Sequence, residues 1–116
     1  MNGLQRGLAA FGAVACAVSV GLGAYASHGL DGDAAHRVGL AALFSFGHGL
    51  ALLLLAPTAG TRLRTVGLSG LALGMLLFSG SLLAAVFASA STALAPSGGL
   101  LLMLAWLLLA ADALRR

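Results

Sequence analysis

Residues 65–89 read TVGLSGLALGMLLFSGSLLAAVFAS, a stretch with no charged residue and no histidine. A helix needs roughly 20 apolar residues to cross about 30 Å of hydrocarbon, so this run is long enough and reads as a membrane-spanning helix. Outward from it, the runs at about 7–26, 34–56 and 98–114 meet the same criterion. The expected fold class is all-α: an integral-membrane four-helix bundle, with residues 1–116 as a single transmembrane domain. The last run is near the lower length limit and should tilt little.

Composition agrees. Of 116 residues, 60% are hydrophobic and 8% charged, whereas a soluble domain carries about 25% charged residues. Lysine and glutamate are absent, so the exterior cannot be made polar, and the partner it requires is a lipid bilayer. Six arginines against three aspartates give a net charge of +3, too scattered for the basic face that nucleic acid needs. Cys16 is alone, inside the first apolar run. No intramolecular disulfide is possible, and a buried packing role is expected.

The breaks carry turn chemistry. Gly29-Leu30-Asp31-Gly32-Asp33 separates the first two runs, with Asp33 placed to cap the next helix and His36 and Arg37 in its first turn. Pro57 ends the second run, and Thr58-Ala59-Gly60-Thr61 forms a turn before Arg62 and Arg64. Residues 89–97 end in Pro96-Ser97, which makes Ser97 the expected cap of the fourth helix. One side of the membrane then holds Arg6, Arg62, Arg64, Arg115 and Arg116, and the other only Arg37. Cytoplasmic flanks retain arginine, so both termini and the Arg62–Arg64 turn are expected in the cytoplasm. Arg6, an apolar run and Ala24-Tyr25-Ala26 also imitate a cleavable secretory signal; a retained first helix is the preferred expectation.

Helices in lipid associate through close backbone approach over small residues and through interhelical hydrogen bonds. Gly12, Cys16, Ser19 and Gly23 recur at helical spacing in the first run, and Ala42, Ser45 and Gly49 in the second. Gly67, Gly70, Gly74, Ser81 and Ala88 do so in the third, which also contains Gly80. Gly12, Gly23, Gly49, Gly70, Gly74 and Gly80 are therefore candidate packing positions. The fourth run lacks small residues until Ala105 and is expected to pack peripherally.

Ionisable groups at membrane depth are costly and mark candidate function. His48 lies roughly 15 Å into its helix, near the bilayer middle. With Ser45, Ser79 and Ser81 it could form an intramembrane polar site for a proton, an ion or a ligand. The alternative is a packing histidine bonded to a neighbouring helix. His28 and His36 flank the outer turn as a second candidate pair, but two histidines fall short of a structural metal set, and neither metal nor cofactor is expected. Asp112 is placed to pair with Arg115 or Arg116 at helical spacing. No Ser-His-Asp set or phosphate loop is present, so no enzyme activity is expected.

Gly23-Ala24-Tyr25-Ala26-Ser27-His28-Gly29-Leu30, the segment from Phe44 to Leu53, Phe78-Ser79-Gly80-Ser81-Leu82, and Pro96-Ser97-Gly98-Gly99 followed by Trp106 occur in this order along the chain. Together they resemble the YgdD family of small inner-membrane proteins, domain of unknown function 423, related to eukaryotic transmembrane protein 256. The resemblance implies an intact first helix and a multi-pass bacterial inner-membrane location. Ser45 stands where the family pattern has glutamine, and Leu83 where it has tyrosine, so the surroundings of His48 are less polar here. The expected role is structural, accessory or partner-binding, with a homo-oligomer or another membrane protein as possible partner. The competing expectation is a small transporter or channel using the site around His48.

Overall fold

The structure, a computed structural model, describes residues 1–115. It contains four long helices: α1 (Gly3–Gly29), α2 (Gly32–Leu55), α3 (Arg62–Phe87) and α4 (Ala95–Arg115). Each is long and apolar enough to cross a membrane. The bundle is 46 Å along its longest axis, close to the about 40–45 Å of a bilayer with its headgroups.

Local chemistry sets the ends. Asn2 and Gln5 form a reciprocal cap on α1: Gln5 N–H donates to Asn2 Oδ1 at 2.8 Å and Asn2 N–H to Gln5 Oε1 at 2.7 Å. The Gln5 amide nitrogen also donates to the Ala59 carbonyl at 3.1 Å, so the N-terminus and the α2–α3 turn share one end of the bundle. Gly32 has φ +58°, a left-handed conformation that glycine adopts without strain, and it lets the chain reverse between α1 and α2.

Four boundary expectations are corrected. Asp33 lies inside α2, and Asp31 holds the N-cap position without a side-chain cap bond. Pro57 does not end the chain's winding at once; a single 3-10 turn, Ala56–Thr58, carries it on. The third helix stops at Phe87, where Ala88 caps it and Ser89 takes φ 54°. Ser97 is not a cap, because α4 begins at Ala95 and takes Pro96 into its first turn, where a missing N–H costs nothing.

Two helical hairpins, α1–α2 and α3–α4, pack together mainly through α2 against α3. At the first crossing Gly12 meets Gly49: a Cβ added to Gly49 would lie 2.7 Å from the Gly12 carbonyl oxygen and 3.0 Å from the Ala15 Cβ. In the second hairpin a Cβ on Gly70 would be 3.1 Å from the Ala105 Cβ, and one on Gly74 would be 3.1 Å from the Gly98 carbonyl oxygen. Gly67 abuts Leu109 in the same way. The expectation of a loosely attached fourth helix is thus corrected. Ala95, Gly98, Leu102, Ala105, Leu109 and Asp112 form one buried stripe along it, while Leu100, Met103, Leu104 and Leu107 remain outside. Gly23 and Gly80 are not close crossings: a Cβ on Gly23 would reach only the Ala42 methyl at 4.0 Å, and one on Gly80 would meet nothing within 4 Å.

Leu52, Leu68 and Leu71 are fully buried where the hairpins meet, and Leu8, Met75 and Leu102 complete a core drawn from all four helices. The exposed apolar residues, among them Val14, Leu43, Leu54, Leu73 and Leu76, face outward on the segments that lipid would surround.

Candidate functional site

His48 stands where α2, α3 and α4 approach one another, within a chain of rings. Phe44 and Phe78 have centroids 4.3 Å apart, Phe44 and His48 5.6 Å, and His48 and Trp106 5.8 Å. The indole Nε1–H of Trp106 donates to His48 Nε2 at 3.1 Å. Indole can only donate and a carbonyl can only accept, so the 2.8 Å contact of Nδ1 with the Phe44 carbonyl is an Nδ1–H donation. Both ring nitrogens are thereby used in the neutral Nδ1–H tautomer, and His48 clasps α2 to α4.

The serines lie elsewhere. Ser79 Oγ donates to the Ala41 carbonyl at 3.2 Å, tying α3 to α2. Ser45 is buried and lines a groove between α1 and α3 together with Ser79. Ser81 is buried with an Oγ that has no hydrogen-bond partner among the described residues. The structure therefore sets Ser45 and Ser79 along one groove, while the ring nitrogens of His48 bond to Phe44 and Trp106 and to none of the three serines. Leaving a buried hydroxyl unpaired costs about 1–3 kcal/mol, so Ser81→Ala is expected to raise thermal stability slightly or leave it unchanged. A clear loss on heating in detergent would show that Ser81 has a partner in the folded protein.

His28 and His36 are both exposed at the end of the bundle opposite the termini. Among the described residues no group of three or more His, Cys, Asp or Glu side chains is gathered as a metal ion would need.

A second polar cluster gathers around Asp112, and its partners at the start of α3 have no local signature in the sequence. Asp112 is buried, and Arg64 Nη1 donates to its Oδ2 at 3.1 Å. Thr61 Oγ1 donates to Oδ1 while accepting from the Arg64 backbone N–H at 3.1 Å, and Arg64 Nε donates to Thr58 Oγ1 at 3.0 Å. These contacts link α4 to the start of α3, partners for Asp112 that helical spacing does not supply; of the two expected partners along α4, Arg116 lies outside the described residues. The available signal was spacing, since Asp112 continues the small-residue and leucine stripe of α4.

A bundle of four apolar spanning helices with polar clusters at its end and its centre defines an integral membrane protein. The family described as protein of unknown function DUF423 matches residues 22–99, and the chain belongs to it. It is 37% identical over 106 residues to a UPF0382 membrane protein of Staphylococcus haemolyticus, covering 84% of this chain and 87% of that protein. A UPF0382 membrane protein of Staphylococcus aureus is 33% identical over the same shares, and one of Staphylococcus epidermidis is 35% identical. No solved structure matches the chain.

Proposed function

We propose that this membrane protein is a non-enzymatic structural, accessory or partner-binding component of the bacterial cell (inner) membrane, with both termini and the α2–α3 turn in the cytoplasm. The observation that supports the role is the clasp at His48. A histidine serving proton or ion passage needs a ring nitrogen turned toward the passing species, and here both nitrogens bond to Phe44 and Trp106. The orientation rests on Arg6, Arg62, Arg64 and Arg115 sharing one end of the bundle.

His48→Ala is the test. In reconstituted vesicles it is expected to leave proton and ion flux at the level of the unaltered protein. It should lower unfolding stability by about 0.6–2 kcal/mol, the range for hydrogen bonds between helices in lipid. Flux in the unaltered protein that disappears in the variant would establish the transporter or channel reading instead. Cysteine labelling at the α2–α3 turn tests orientation: protection from a membrane-impermeant reagent in intact cells is expected, and labelling would reverse the topology.

A further inference from the structure

Because α3 leans on α2 and α4, it diverges from α1 and leaves a groove of about 220 Å³ that opens sideways. Phe11, Val14 and Val18 form one wall, and Met75, Leu76 and Leu83 the other. Gly80 keeps the α3 wall low, since a Cβ there meets nothing within 4 Å. Ser45 and Ser79 are the polar lining. A serine in a helix normally satisfies its hydroxyl on the carbonyl four residues earlier. For Ser45 that is Ala41, whose carbonyl takes the Ser79 hydroxyl instead. Ser45, only 8% exposed, makes no hydrogen bond with any described residue. Its O–H is an unspent donor at a depth where no water competes.

We propose that this groove binds an apolar, membrane-dissolved molecule carrying a neutral carbonyl, the chemistry shared by quinones and long-chain ketones, with that carbonyl accepting from Ser45. A carbonyl fits because it accepts without needing a partner for a donor of its own, and the lining offers few acceptors. Bulk phospholipid fits poorly. Ser45 lies roughly 15–20 Å from either end of α2 at 1.5 Å per residue, whereas lipid ester carbonyls sit at the headgroup boundary of the hydrocarbon.

The probe is 4-decylbenzophenone, whose carbonyl is also its photoreactive group, added to the full chain in phosphatidylglycerol nanodiscs with crosslinks mapped by mass spectrometry. Saturable labelling centred on Met75 and its groove neighbours is expected, competed by decyl phenyl ketone but about 2–10-fold less by its carbonyl-free analogue decylbenzene, the worth of one hydrogen bond. Ser45→Ala should weaken labelling by the same factor. Gly80→Leu should abolish it by filling the groove, with Val14→Trp as a second way to fill it, and thermal unfolding reports that each variant is folded. Labelling that is non-saturable, spread over the lipid-facing surface or indifferent to these substitutions would overturn the proposal. So would exclusion of the probe with a second copy crosslinked through the groove from a cysteine placed at Val18.

Discussion

Gly12→Leu is expected to separate α1 from α2 and to lower unfolding stability by about 3 kcal/mol or more, at the top of the range for overpacking a tight contact. The backbones of Gly12 and Gly49 touch: the space a Cβ would take at Gly12 is filled by the Gly49 carbonyl oxygen, the Leu53 nitrogen at 2.8 Å and the Leu52 Cβ at 2.9 Å. Two of these are main-chain atoms of a helix, which cannot rotate aside as the end of a side chain can. In lipid the loss is not offset by any hydrophobic gain, since the displaced helix face exchanges protein contacts for equally apolar acyl chains. Gly7→Leu is the matched control, the same change on the same helix where a Cβ meets nothing within 4 Å. Denaturation in mixed micelles is expected to show a large loss for the first and little change for the second. Equal losses at both positions would mean that α1 responds to side-chain bulk in general and that the crossing at Gly12 is not the contact holding the hairpin.

The spans were legible because length and continuous apolarity are one-dimensional properties, and residues 65–89 needed no partner to be recognised. The boundaries depended on finer choices. Pro96-Ser97 reads as the end of a break with Ser97 as cap, but a proline is welcome in a first helical turn, so α4 starts ahead of it. The left-handed Ser89 beyond α3 has no sequence signature of the kind a glycine would supply. Among the glycines, Gly12, Gly49, Gly70 and Gly74 lie at crossings, while Gly80 faces open space on a different side of α3. Spacing alone does not tell a glycine that admits a neighbour from one that leaves a groove. The polar pairs were the least legible part. Trp106 meets His48 across 58 residues and Arg64 meets Asp112 across 48, so each partner follows from the packing of α4 and from nothing local.

Asp112→Ala is the second substitution with a large expected effect, a loss of about 3–5 kcal/mol, because it removes one partner of a buried ion pair and strands the other. The Asp112 side chain is 3% exposed and that of Arg64 15%, so neither charge is well hydrated where it sits. Without the carboxylate, the Arg64 guanidinium keeps only its Nε bond to Thr58 among the contacts described above, and the Thr61 hydroxyl loses its acceptor. The end of the bundle where α3 begins and α4 finishes would then open or admit water. Combining Asp112→Ala with Arg64→Ala should recover part of the loss, since the double variant no longer strands the guanidinium, and thermal unfolding of the two single variants and the double variant in detergent measures that recovery. Arg115→Ala, at an exposed side chain, is expected to cost much less. If it matched Asp112→Ala while Arg64→Ala cost nothing, the local pairing along α4 would be the true one. Strictly additive losses for Arg64 and Asp112 would mean that their charges are screened by solvent and that this contact does not fasten α4 to α3.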